Sequence, residues 1–368
     1  NAKRVHIDLR MSLLALHAPA AQGVGGTIHA VDRAEAPQRS SAAVALQFSG
    51  HLRSRCDVGP ALLHMQACRA RFAACDSFVH TWSELEPATP HWRRGRRRPA
   101  PKASGACVAS LAAQVQPKAV LVETQPTPPA DEPGALAPDG RPFGDLGVKH
   151  WGAARNFGWQ MNLHGMTQAA RLRREHQHGR LGGQTNYSLA VRLRPDDVWR
   201  FGTAAAAATL WDCIAVLAAV PRNASAAHRL PGSRRKGGGQ EWRWDSGQVV
   251  HDAASTCSNA PGEGLSYAGN DNCILGAPAV LDRLFDELAD SGRYRDAFAQ
   301  LRSLRGRFKQ HEPELILAVV ARRAGLPLAS PCRPDVLRSL AAAHNLHNLS
   351  RGGFAAQRCR QRGVGCFR

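Results

Sequence analysis

Short apolar stretches recur through the middle of the chain, and polar or turn-forming residues close them. Three of these stretches, Ala42–Phe48, Ser77–Trp82 and Lys118–Glu123, have the length of buried strands rather than helices. In a fourth, Tyr187–Leu193, apolar and polar side chains alternate with the period of two that is typical of a strand. Pro195 is expected to end it, because proline cannot donate to a sheet ladder.

Helical periodicity separates several of these predicted strands. A helix is expected from about Pro60, with Phe72 as the last member of its apolar face. A second is expected over Gln160–His178, with Arg173 among its outward-facing residues, and Pro278–Leu288 has the clearest apolar face of all. Right-handed strand–helix–strand crossovers make the joined strands parallel. The pattern therefore predicts an α/β fold with a mostly parallel sheet flanked by helices.

Changes in composition divide the chain into three regions. Residues 1–41 lack a sustained period and are expected to be a loose N-terminal leader, residues 42–326 one α/β domain, and residues 327–368 a basic C-terminal tail. Stretches rich in proline, glycine or arginine predict surface insertions within the domain, at about 84–104, 124–150 and 222–248.

Two arginines and two carboxylates surround the end of the alternating strand. Arg192 and Arg194 precede Pro195, and Asp196 and Asp197 follow it. Ligands of open α/β sheets bind outside the carboxyl ends of the strands. Guanidinium groups pair with phosphate oxygens and hard cations take carboxylate oxygens, so the set suits a diphosphate with a divalent ion. The structural alternative is a solvated Pro-Asp turn.

The loop after the first predicted strand offers a second set of candidate contacts. Ser49, Gly50 and Arg53 leave a strand and approach a helix, so backbone amides and the Arg53 side chain could meet a nucleotide phosphate. The alternative is an ordinary connection between a strand and a helix.

Several blocks of the chain resemble sugar-nucleotide-dependent glycosyltransferases of the GT-A type. The hydrophobic strand ending in Arg-x-Arg-Pro-Asp is similar to their metal-site strand, and Val44–Trp82 to their amino-terminal nucleotide half. The Asn-Asp-Asn at 270–272 and the Pro-Glu at 313–314 resemble their acceptor half. In the familiar motif two carboxylates lie one residue apart, whereas here Pro195 precedes two adjacent acids. The resemblance spans about residues 42–326 in separated blocks.

The resemblance implies a GT-A-like (Rossmann-like) domain that moves a sugar from a nucleotide-sugar donor to a hydroxyl of a glycan, protein or lipid acceptor. Mn²⁺ or Mg²⁺ would lie on Asp196 and Asp197 against the diphosphate. Arg192 and Arg194 would neutralise the leaving group as the glycosidic bond breaks.

The resemblance also implies nucleotide contacts and a catalytic base. Phe48–Arg53 would line the nucleotide. An inverting enzyme needs a base beside the acceptor hydroxyl, for which Asp271 is the first candidate and Glu312 the second. Acids in the first turn of a helix are also favoured by the helix dipole, so Glu312 has a purely structural explanation as well.

Net charge raises an alternative function. The formal charge is +19 and the pI is near 10.5, which suits a non-enzymatic protein that binds nucleic acid or another polyanion. The positive charge is nearly all arginine and is scattered, with clusters only at Arg93–Arg98 and Arg234–Lys236. Nucleic acid is therefore the minor hypothesis.

Cysteines, glycan acceptor motifs and hydropathy bear on the compartment. The ten cysteines permit disulfides in an oxidising compartment, and none has zinc-finger spacing. Asn-x-Ser occurs at Asn186, Asn223 and Asn348, and Asn186 is expected to exclude a glycan because it opens a predicted core strand. No apolar run reaches the ~20 residues that cross a bilayer. The resemblance implies the Golgi or secretory lumen, with membrane attachment only through a missing N-terminal anchor.

Overall fold

The computed structural model describes residues 39–52, 56–85, 102–124, 153–182, 184–195, 203–225, 227–230, 242–245, 248–256 and 273–289, with scattered positions between 317 and 344. Apart from one short two-stranded ribbon, strands and helices alternate along the first half of this part of the chain. Their bounds are β1 (Ser40–Ser49), α1 (Gly59–Arg69), β2 (Phe72–Trp82), β3 (Glu84–Leu85), β4 (Lys102–Ala103), α2 (Gly105–Val115), β5 (Ala119–Glu123), α3 (Ala153–Gln177), β6 (Leu189–Leu193), α4 (Ala204–Ala219), β7 (Ala227–Leu230), β8 (Trp242–Asp245), β9 (Ala254–Thr256), β10 (Cys273–Gly276), α5 (Pro278–Ala289) and β11 (Leu328–Ala329).

The central sheet has seven strands in the order β11-β9-β10-β6-β1-β2-β5. Strands β6, β1, β2 and β5 run parallel, and β10 pairs antiparallel with both β6 and β9. The predicted α/β class with a mostly parallel sheet flanked by helices is confirmed, and the arrangement is compatible with a Rossmann-like fold.

Helices cover both faces of this sheet, and strand alternation decides which residues meet them. In β1, Val44, Leu46 and Phe48 are fully buried in the core that also contains residues of α1, α2 and α4. Ala45 faces the opposite core, to which α3 and α5 contribute. The polar residues Gln47 and Ser49 follow Ala45 at the same spacing of two, so the α3 face becomes polar towards the carboxyl end of the sheet.

Two expectations about individual side chains are wrong. Phe72 opens β2 instead of extending the apolar face of a helix, because α1 already ends at Arg69. Arg173 faces inward, with 1% of its side chain exposed, and donates to Gln177 and to Asp282 of α5. A cationic side chain can face the core when a carboxylate on a packed neighbour accepts its hydrogen bonds.

Parts of the expected insertions and tail have regular structure. The ribbon β3–β4 lies within 84–104 and the antiparallel pair β7–β8 within 222–248. Most of 124–150 lies outside the described residues, as does all of the expected leader except residues 39–41. The sheet continues past residue 326, because β11 pairs parallel with β9.

Disulfides join several elements. The seven cysteines in the described part of the chain are all disulfide-bonded, and three complete pairs are Cys56–Cys107, Cys68–Cys75 and Cys213–Cys332. The last pair attaches the segment after β11 to α4.

Two further features bear on the cellular compartment. Asn186 is exposed and precedes the start of β6 by three residues, so the expectation that a core strand would exclude a glycan there is wrong. Among the described helices, none combines the length and the apolar character needed to cross a bilayer.

Candidate functional site

The strand order creates a crevice between β1 and β6. From β1 the chain moves to β2 and β5 on one side, and it later returns to place β6 on the other side of β1. Phe48 and Leu193 are register partners, so the two parallel strands end side by side. Such a switch point is where open α/β sheets bind ligands beyond the carboxyl ends of their strands.

Gly50 and Pro195 meet at this crevice. The backbone of Gly50 has φ +134°, a conformation that side-chain-bearing residues rarely adopt, and its N–H donates to the His80 carbonyl at 3.3 Å. A methyl group added at Gly50 would lie 3.8 Å from Pro195 Cδ. The loop after β1 and the residue immediately before Asp196 are therefore neighbours.

Arg192 lies beneath the crevice and ties three elements together. It is fully buried, and its guanidinium donates to Ser49 Oγ at 2.8 Å, to the Ser49 carbonyl at 3.2 Å and to Asn162 Oδ1 of α3 at 2.8 Å. Arg194 is only partly buried, at the end of the same strand. Of the predicted site residues, the structure therefore brings Ser49, Gly50, Arg192 and Arg194 to one edge of the sheet.

A second group of polar side chains lies on the next strands of the same edge. His80 near the end of β2, Glu123 at the end of β5 and His164 of α3 converge. The Nε2 atoms of His80 and His164 lie 2.9 and 2.7 Å from the same oxygen, Oε2 of Glu123. Ser49 and His80 are register partners, so this group adjoins the crevice.

Aromatic packing holds the two imidazoles in place. Trp82 stacks on His164 with ring centroids 5.7 Å apart and meets His80 edge-on at 4.9 Å. On the other side, a methyl group added at Gly165 would lie 3.0 Å from His80 Nδ1, so α3 approaches the ring closely because residue 165 is glycine. His80 is fully buried, whereas 32% of the Glu123 side chain and 40% of the His164 side chain are exposed.

The electrostatics of the group favour an ionised glutamate beside neutral His80. Hydrogen bonding to His80 lowers the pKa of Glu123 to about 2 against the opposing effect of burial, and His164 adds to the lowering. Desolvation lowers the pKa of His80, an effect that outweighs the attraction of Glu123. A carboxylate can only accept hydrogen bonds, so each Nε2 carries the hydrogen in this arrangement. His80 Nδ1 then has no hydrogen-bond partner among the described residues.

Sequence reasoning did not identify this group as a site. His80 and Glu123 were only members of the predicted strands Ser77–Trp82 and Lys118–Glu123, and His164 only a member of the helix predicted over Gln160–His178. One usable signal was that His80 and Glu123 both lie near the ends of predicted parallel strands, where side chains meet. The remaining predicted site residues, Arg53, Asp196, Asp197, Asp271 and Glu312, lie outside the described residues, as do the clusters Arg93–Arg98 and Arg234–Lys236.

Comparison with protein-family models, curated proteins and solved structures finds no match to the chain. A functional assignment therefore depends on the chemistry and geometry of the sheet edge.

Proposed function

We propose that the chain is a GT-A-type glycosyltransferase that moves a sugar from a nucleotide-sugar donor to a hydroxyl acceptor. The observation that carries the proposal is the crevice between β1 and β6, where Gly50 lies against Pro195 at the switch point of the sheet. A donor bound there would have the loop after β1 on one side and the Arg-Pro-Asp segment on the other.

The arginines of β6 take different roles in this proposal. Arg192 is fully buried and bonded to Ser49, so it positions the loop after β1. Arg194 is partly buried at the strand end, from which its guanidinium would neutralise the diphosphate leaving group.

The cation that this reaction class uses suits the acids that follow Pro195. Asp196 and Asp197 would supply carboxylate oxygens, the ligands that Mn²⁺ and Mg²⁺ prefer, and Pro195, the residue before them, lies at the crevice. The ion would offset diphosphate charge. Asp271, and after it Glu312, remain the proposed bases for the acceptor hydroxyl of a glycan, protein or lipid.

The disulfides favour a secretory compartment as the place of this activity. Disulfides persist in oxidising compartments and are rare in the cytosol. All seven cysteines in the described part of the chain are bonded. We therefore propose the Golgi or another part of the secretory lumen.

Release of nucleoside diphosphate from a panel of nucleotide sugars tests the proposal. The purified chain is assayed with Mn²⁺, with Mg²⁺ and with a chelator, alongside Asp196→Ala and Arg194→Ala. Loss of one group that stabilises developing charge is expected to lower the rate by about 100-fold or more. Asp286→Ala is the matched control, because Asp286 is an exposed carboxylate on α5 that pairs with Arg174. Folded protein that neither binds nor cleaves any donor would contradict the proposal.

Binding assays with the same purified chain and variants distinguish the alternative function, which is binding of nucleic acid or another polyanion, from glycosyl transfer. The alternative predicts salt-sensitive binding of single-stranded and double-stranded nucleic acid that survives Asp196→Ala and is lost when Arg234–Lys236 is neutralised.

A further inference from the structure

We propose that His80, Glu123 and His164 form a binding site for one divalent transition-metal ion, best fitted by Zn²⁺. Its three ligands are different residues from the acids at 196 and 197, and the proposal does not depend on glycosyl transfer. Among the described residues, this is the group of three histidine, cysteine, aspartate or glutamate side chains whose potential ligand atoms converge. These atoms all lie within 4.8 Å of one another.

The spacing of the ligand atoms suits a small metal ion. Zn²⁺ binds imidazole nitrogen and carboxylate oxygen at about 2.0–2.2 Å, which puts neighbouring ligand atoms of a tetrahedral site roughly 3.3–3.6 Å apart. The two nitrogen–oxygen separations here are 2.9 and 2.7 Å, so the ligand atoms would have to move apart by roughly half an ångström or more. Small rotations of His164 and Glu123, the two partly exposed members, would admit the ion between the three atoms.

The donor set selects the class of ion. Imidazole nitrogen suits zinc, cobalt, nickel and other first-row transition metals, whereas Mg²⁺ and Ca²⁺ prefer oxygen ligands. Two histidines and one glutamate leave at least one coordination position for water or substrate, as in catalytic zinc sites. That position would face solvent, because Glu123 and His164 are the exposed members.

The surroundings orient the ligands and also limit the affinity. Trp82 packs against both imidazoles, and the close approach of Gly165 fixes the His80 ring. With the ion on Nε2, the ring hydrogen of His80 moves to Nδ1, for which no described residue supplies an acceptor. Such outer partners are worth about 10- to 100-fold in metal affinity, so we expect binding weaker by about that factor than at a site that supplies the acceptor.

The competing arrangement is a metal-free triad in which both imidazoles donate to an ionised Glu123. It accounts for the same distances, and the experiment must separate the two. Zn²⁺ titration of the metal-free chain by calorimetry, in excess Mg²⁺ to occupy oxygen-ligand sites, gives the stoichiometry and the affinity. Co²⁺ in place of Zn²⁺ reports its ligands through its visible absorption.

His164→Ala and Glu123→Gln test the assigned ligands. Both replaced side chains are partly exposed, so the fold should persist, which thermal unfolding checks. His178→Ala is the matched control, because His178 is exposed just beyond the end of α3. We expect one Zn²⁺ per chain, an affinity at least about tenfold weaker in each ligand variant, and no change in the control.

Two results would overturn the metal site. One is a folded wild-type chain that binds no Zn²⁺, which would leave the metal-free triad. The other is Zn²⁺ binding that both ligand variants retain unchanged, which would place the ion elsewhere. Neither result bears on nucleotide-sugar cleavage, so failure here is distinguishable from failure of the proposed function.

Discussion

The Cys213–Cys332 disulfide provides the sharpest test of how the segment after β11 is held to the domain. The double replacement Cys213→Ala with Cys332→Ala removes a link between α4 and that segment. Cys68→Ala with Cys75→Ala is the comparison, because that bond only joins α1 to the adjacent β2. We expect the first replacement to be the more destabilising.

The expected magnitudes follow from the lengths of the two closed loops. A disulfide restricts the unfolded chain, and the stabilisation grows with the logarithm of the loop length. The separation of 119 residues between Cys213 and Cys332 corresponds to about 5 kcal/mol, and the separation of 7 between Cys68 and Cys75 to about 2 kcal/mol. The difference in the free energy of unfolding is therefore about 2–3 kcal/mol.

Urea unfolding followed by circular dichroism measures both variants against the wild type. Each pair loses its two sulfur atoms, so much of the packing loss cancels in the comparison. Equal losses of free energy in the two variants, or a larger loss from the Cys68–Cys75 pair, would refute the loop-length reasoning.

Three further predictions concern a buried histidine, a helix glycine and a glycan acceptor. Burial lowers the pKa of His64 from 6.5 to about 4, so the unfolded state binds more protons between these pH values and stability falls as the pH drops below 6.5. The stability advantage of wild type over His64→Asn should therefore shrink by about 2 kcal/mol from pH 7 to pH 5 in urea titrations, and a constant difference would contradict this. Gly165→Ala should lower the unfolding temperature, because overpacking against His80 (about 1–3 kcal/mol) exceeds the gain of about 1 kcal/mol that alanine brings to a helix. Gly105→Ala is the control and should not lower the unfolding temperature, because its new methyl group would lie in open space. A Gly165→Ala chain as stable as wild type would refute the close approach of α3 to His80. Exposed Asn186 should carry a glycan when the chain is made in a secretory pathway. Glycosidase treatment should then lower the mass of the wild-type chain, and Asn186→Gln should abolish the mass loss that is due to this site. A chain unmodified at Asn186 would count against secretion or against access to this residue.

The local pattern of apolar and polar residues was sufficient to predict strands of the sheet. The alternation in β6 and the apolar run in β1 each reflect burial, and a short stretch of sequence is enough to reveal it. Right-handed crossovers then make the strands parallel. That Ser49 and Arg192 lie close together could be anticipated, because the carboxyl ends of parallel strands share one edge of the sheet.

Positions within helices were harder to predict, because polar residues can face the core when a distant partner accepts their hydrogen bonds. Arg173 was expected to face solvent, but Asp282, 109 residues away, makes its inward position favourable. The sequence close to Arg173 gives no indication that Asp282 will accept its hydrogen bond.

The amino-acid sequence by itself determined which segments become strands or helices, and that parallel strand ends would meet with polar side chains. Only the tertiary structure decided the cysteine partners and the convergence of His80, Glu123 and His164. The physical reason is that periodicity records the side on which each residue is buried within its own element. The order of the strands and the position of α3 on the sheet instead follow from the packing of whole apolar faces against one another. That packing depends on residues far apart in the chain.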